Sequence, residues 1–157
     1  MKHQWLDGLG NLESLKALYQ DDCEVLSQDK SRILVFTNDE AVVYEVMNCL
    51  GQRGCLVYRA SNYEAGLGYI REAADSIDLL VFDMDLPPDV QVGVDAMVNF
   101  RADCPGIPVL LLSCSVQRDE FSDHRRAIGD ATLRKPISCV RLLEGIAAVG
   151  ENFAAPR

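Results

Sequence analysis

Positive charge is scarce in this 157-residue chain: 15 Lys and Arg stand against 24 Asp and Glu, a formal net charge of −9. A protein that binds DNA or RNA without regard to sequence needs cations to displace phosphate counterions, so no nucleic-acid partner is expected. No apolar run reaches the roughly 18 residues of a membrane span, and no membrane partner is expected either. The opening MKHQWLDGLG lacks the basic start and apolar stretch of a secretory signal. These absences together point to the cytoplasm. The six cysteines (Cys23, Cys49, Cys55, Cys104, Cys114 and Cys139) include no C-x-x-C pair, which argues against zinc. Several lie in apolar runs, so they are expected to be reduced, small core residues. Histidine is also rare. Neither His3 nor His124 lies near a Ser or Cys at a useful position, which removes nucleophilic triads.

What is present is an ordinary globular composition, 48% hydrophobic and 25% charged. It suits one compact domain with an extension. Residues 1–30 stand apart as the extension and its linker. Trp5, Leu9, Leu12, Leu15, Leu18 and Tyr19 recur mostly at helical spacing, and this Leu/Trp face leaves three readings open: packing on the chain's own domain, a homodimer contact, or the tail of something upstream. Residues 27–31 read as a polar linker, residues 31–151 as the domain and residues 152–157 as a tail.

From Arg32 onward, apolar runs alternate with helical patterns. Strands are expected at 33–36, 55–60, 77–82, 109–112 and 131–134. Helices are expected at 40–50, 62–74, 94–101, 117–128 and 138–149, the fourth of them weak and very polar. Strands that read as unbroken apolar runs are buried on both faces, as in a parallel sheet, and right-handed crossovers place helices on both sides. The expected fold is α/β: a doubly wound five-stranded parallel sheet of flavodoxin-like order 2-1-3-4-5 with helices on both faces.

In such sheets function gathers at the carboxyl ends of the strands. Those ends carry Thr37, Asn38, Asp39 and Glu40, then Asp83 and Asp85, then Ser113 and Cys114, then Lys135-Pro136. Carboxylates, one hydroxyl and one ammonium suit phosphoryl transfer to a carboxylate. A cation must offset the charge of the nucleophile, and a lysine and a hydroxyl can hold the phosphoryl oxygens. In that chemistry Asp83 is the nucleophile, Lys135 the clamp and Ser113 the hydroxyl donor.

Four segments in order, RILVF at 32–36, DLLVFDMDLP at 78–87, IPVLLLS at 107–113 and GDATLRKPI at 129–137, resemble a CheY-like response-regulator receiver domain of two-component signalling. The resemblance implies that Asp83 is the phosphoacceptor and that Asp85 supplies a backbone carbonyl to Mg²⁺. It implies that Ser113 is the switch hydroxyl and Lys135 the lysine that holds the phosphoryl group. It also implies a histidine kinase or histidine phosphotransfer protein as donor and a downstream protein target. No enzymatic activity is implied beyond autocatalysed phosphotransfer to Asp83.

The chain departs from the family at several points. The two acids expected after the first strand are Thr37 and Asn38, with Asp39 one residue late. The candidate metal set is therefore Asp39, Asn38, Asp83 and Asp85. Losing a carboxylate weakens Mg²⁺ binding, so Mg²⁺ is expected to be weakly bound or absent. Alternatively, Thr37 and Asn38 simply cap the following helix. The aromatic switch partner is replaced by Thr132, and Gly93 comes later after Asp83 than in the family pattern. The charged run from Arg118 to Arg126 is either a solvated face or a partner-docking helix. Three functions remain: a receiver phosphorylated on Asp83, a phosphorylation-independent pseudo-receiver, and, remotely, a phosphatase of the haloacid-dehalogenase type built on Asp83-Met84-Asp85. No output module is read after the last helix, which leaves either a receiver acting by contact or one piece of a longer protein.

Overall fold

The computed structural model describes residues 31–72, 76–122 and 124–155. The expected N-terminal helix and its dimer contact lie outside them. Five strands form one sheet: β1 (Arg32–Phe36), β2 (Leu56–Ala60), β3 (Leu79–Asp83), β4 (Val109–Ser113) and β5 (Ala131–Arg134). All four pairings are parallel and the order is β2-β1-β3-β4-β5, as the alternating pattern implied. The helices are α1 (Glu40–Gly51), α2 (Tyr63–Glu72), α3 (Val90–Asp103) and α4 (Cys139–Ala154).

The side-chain alternation of each strand sorts the core into two layers. Leu34, Phe36, Leu80, Phe82 and Leu111 face α2 and α3, where Leu67, Ile70, Met97 and Phe100 cover them. Ile33, Val35, Val81, Leu110 and Leu133 face α1 and α4, where Val42, Val46, Leu142 and Val149 cover them. Helix starts follow the local chemistry of short polar side chains. Asp39 caps α1 by accepting from Ala41 N at 3.0 Å, Asn62 accepts from Ala65 N at 3.2 Å, and Asp89 accepts from Val92 N at 2.9 Å. Ser138 caps α4. The Asp89 cap starts α3 at Val90, four residues before the expected 94. The last helix continues five residues past the expected 149, to Ala154. Among the described residues no helix is long and apolar enough to cross a membrane.

One close approach constrains the layer beneath α2. A Cβ on Gly66 would collide with Phe36 Cε1, and Phe36 is fully buried. The ring has nowhere to go, so Gly66→Ala is expected to lose about 1–3 kcal/mol. Urea denaturation measures this, and an unchanged midpoint would show that the ring can yield.

Two expectations are corrected. The stretch from 117 to 128 is not a helix: its described residues form turns and bends. Glu120 instead pairs antiparallel with the outer edge of β5, its N–H reaching Thr132 O at 2.7 Å and its carbonyl accepting from Thr132 N at 2.9 Å. Asp119 anchors the same turn, accepting from Arg134 N at 2.8 Å and from Arg141 Nε at 2.7 Å. The hydrogen bonds from Arg141 lower the pKa of Asp119, with burial opposing. Edge pairing and this ion pair override a weak helical pattern, and they cover the exposed edge of β5. The second correction concerns cysteine: Cys49 and Cys139 are not a pair of thiols but a disulfide, with Cα atoms 5.4 Å apart. Their 90-residue separation hid the pairing, because the topology alone brings the end of α1 to the start of α4.

Candidate functional site

The site forms where parallel register aligns the strand ends. Phe36 pairs with Phe82 and Asp83 with Leu112, so Thr37 and Ser113 flank Asp83 from the two neighbouring strands. Beyond them, Lys135 N donates to Ser113 O at 3.0 Å, which brings Lys135 off the end of β5 toward the sheet centre. A cis peptide links Lys135 to Pro136.

Asp83 is fully buried, and both of its oxygens are engaged. Oδ2 accepts from Thr37 Oγ1 at 2.7 Å and from Lys135 Nζ at 2.9 Å. Oδ1 accepts from Asp85 N at 2.9 Å and from Lys135 Nζ at 3.1 Å. The same ammonium lies 3.0 Å from Asp85 Oδ2 and 3.5 Å from Asp39 Oδ2. One cation thus serves three carboxylates. Burial works against the charge on Lys135, but hydrogen bonds to Asp83 and Asp85 and their negative charge hold its pKa above the ordinary lysine value. Burial likewise opposes ionisation of Asp85, while Lys135 and the Cys114 N–H at 2.9 Å hold its pKa below the ordinary carboxylate value.

The structure brings Asp83, Lys135, Asp85 and Asp39 together. Asp85 joins through its carboxylate. Ser113 is buried at the end of β4, and its Oγ accepts from Ser115 N at 3.0 Å. Thr132 is buried within β5, its backbone paired to Glu120. Asn38 is exposed and, among the described residues, makes no hydrogen bond with the cluster. Thr37 has a role that composition did not suggest. Its hydroxyl accepts from Asp39 N at 3.0 Å and passes its own proton toward Asp83. The cap of α1 is Asp39, one residue after the pair expected to provide it. A β-branched hydroxyl residue directly after an apolar strand was the available signal.

The resemblance to receiver domains implies Mg²⁺, and the donor set tests that implication. Mg²⁺ needs anionic oxygens in near-octahedral array. Here the oxygens of Asp83 and Asp85 already accept from Lys135, and hydroxyl and amide stand where the further acids belong. Among the described residues no group of three or more His, Cys, Asp or Glu side chains is placed to hold a metal ion. With the Lys135 ammonium seated among these carboxylates, the residues do not fit the metal.

No protein-family model matches the chain, and no curated protein matches it. Solved structures do. A CheY-like response regulator receiver domain protein from Methanospirillum hungatei JF-1 is 23% identical with a TM-score of 0.63, covering 79% of this chain and 97% of that one. A response regulator from Thermotoga maritima is 21% identical with a TM-score of 0.62, covering 76% and 97%. A CheX–CheY–BeF3–Mg complex from Borrelia burgdorferi gives a TM-score of 0.64 at 15% identity, covering 76% and 89%. At these identities the likeness is one of architecture. With its strand order and the carboxylate–lysine pair at the strand ends, the chain has the fold of a CheY-like response-regulator receiver domain.

Proposed function

We propose that this chain is a receiver-fold signalling module that acts through protein contact without phosphorylation, with Asp83 as a permanently held carboxylate. The hydrogen bond from Thr37 Oγ1 to Asp83 Oδ2 at 2.7 Å carries this reading. A nucleophile attacking phosphorus needs a free oxygen lone pair and a cation that bridges it to the incoming anion. Thr37 and Lys135 together fill Oδ2, and Thr37 cannot recruit the bridging cation, because a neutral hydroxyl gives a hard cation little reason to bind. The expected partner is therefore a protein that reads the surface of the folded module.

A second reading keeps Asp83 as the phosphoacceptor, with a histidine kinase or histidine phosphotransfer protein as donor, Ser113 as the switch hydroxyl, and Mg²⁺. One observation favours it: Asp39 Oδ2 reaches within 3.5 Å of Lys135 Nζ, so a carboxylate does approach the cleft from the first loop. Amide NMR with millimolar Mg²⁺ and beryllofluoride separates the two. The native chain is expected to show no shifts at residues 83–86, 113–115 and 135. Thr37→Asp/Asn38→Asp is expected to acquire them, and adding Asp83→Asn to abolish them. Shifts in the native chain that vanish in Asp83→Asn would overturn the proposal in favour of the phosphorylated receiver.

A further inference from the structure

The disulfide between Cys49 and Cys139 joins the last turn of α1 to the first residue of α4. These are the two helices that cover one face of the sheet, and α4 begins four residues after Lys135. We propose that the pair is a reversible modification site, opened by a dithiol reductant and closed by a low-molecular-weight disulfide while the domain stays folded.

Three observations carry this. The two sulfurs differ in access: Cys49 is buried, at 3% exposure, whereas Cys139 is partly exposed. The buried sulfur has a cation beside it, since Arg53 Nη1 lies 3.8 Å from Cys49 Sγ while donating to Cys49 O at 2.7 Å. The accessible sulfur sits directly after the Ser138 cap, at the positive end of a sixteen-residue helix. Arg53 and the helix end are thus each placed to offset charge on a departing thiolate, which is what speeds exchange.

The exchange balances as follows. One reductant thiolate attacks Cys139 Sγ, forms a mixed disulfide and expels Cys49 as a thiolate beside Arg53. The second reductant thiol attacks its own sulfur in the mixed disulfide and expels Cys139. The reductant leaves as a disulfide, having given two electrons and two protons to the protein sulfurs. A low-molecular-weight disulfide runs the same steps backward. Opening the bond does not dismantle the start of α4, because Arg141 also donates to Pro136 O and Arg134 O, each at 2.6 Å.

The test uses the full chain, exposed in native buffer to a small disulfide and then to dithiothreitol, with alkylation and peptide mapping at each step. The peptides bearing Cys49 and Cys139 are expected to lose alkylation together after oxidation and to regain it after dithiothreitol without denaturant. The thermal midpoint is expected to fall by roughly 5–10 °C on reduction. Cys49→Ser and Cys139→Ser should share the reduced midpoint and ignore dithiothreitol. If a single serine variant fails to fold, Cys49→Ala/Cys139→Ala must meet the same criterion. Persistent alkylation of both peptides after oxidation overturns the proposal. So does a bond that dithiothreitol opens only once the chain has unfolded.

Discussion

Replacing Arg101 with Met is expected to remove about 3–5 kcal/mol of folding stability, a large share of the roughly 5–15 kcal/mol that a domain possesses. Arg101 projects from the last turn of α3 and is 6% exposed, and Asp130, just before β5, is fully buried. Their contact is bidentate, with Nη1 to Oδ2 and Nη2 to Oδ1 both at 2.7 Å. The guanidinium also donates to Arg126 O at 3.1 Å, and Asp130 Oδ2 accepts from Val109 N at 2.8 Å. Four parts of the chain meet at this one pair. Without the guanidinium, a buried anion keeps a single amide donor, and the cost is that of an uncompensated charge. Arg101→Met/Asp130→Asn removes the charge along with its partner and leaves an amide oxygen for Val109 N. The double variant is expected to recover part of the loss. The exposed pair Arg125–Glu120, with side chains 46% and 26% accessible, is the control, and Arg125→Ala should cost at most about 1 kcal/mol. Urea denaturation of the native chain, Arg101→Met, Asp130→Asn and the double variant gives the coupling directly. A loss under about 1 kcal/mol in Arg101→Met, with no coupling to Asp130, would show that the pair does not anchor the β4–β5 edge.

The contrast between these two ion pairs also marks what could be read from the chain. The strands were legible because β1, β3 and β4 are nearly unbroken apolar runs, as burial on both faces demands, while β2 and β5 keep shorter apolar stretches broken by Arg59 and Thr132. Once order 2-1-3-4-5 follows, Asp83 and Lys135 must approach, since both stand just where their strands end. The contacts that depend on residues far apart were not legible. Arg101 and Asp130 are separated by 29 positions, and each alone reads as a charge near a helix end or a turn. The stretch around Asp119 and Glu120 looked helical because its spacing permits a helix. Pairing with β5 and the Arg141 clamp decide otherwise, and neither leaves a periodic trace. Thr37 was visible as a missing acid, but its hydrogen bond to Asp83 depends on the register of β1 against β3. The cysteine pair failed for the same reason: composition favours thiols, and only the placement of α1 beside α4 brings the sulfurs together.

Lys135→Met is expected to be as damaging as the loss of Arg101, about 3–5 kcal/mol, and to change how the protein responds to Mg²⁺. The Lys135 and Asp83 side chains are 7% and 1% exposed. Removing the ammonium leaves Asp83 with two donors, the Thr37 hydroxyl and the Asp85 amide, inside a site too dry to screen its charge. It also leaves Asp39 and Asp85 facing Asp83 without the cation that all three share. The converse change is milder. In Asp83→Asn the ammonium keeps Asp85 and Asp39, whose side chains are 33% and 38% exposed, so a loss of about 1–3 kcal/mol is expected. Lys135→Met/Asp83→Asn should be more stable than Lys135→Met alone, because the buried charge has gone with its partner. The response to metal follows from the same geometry. If Lys135 is the resident cation of the cleft, millimolar Mg²⁺ should leave the native unfolding midpoint unchanged and raise that of Lys135→Met, where three carboxylates have lost their counterion. Should Mg²⁺ stabilise the native chain as strongly as the variant, the ammonium does not stand in the metal's place, and the cleft is a metal site after all.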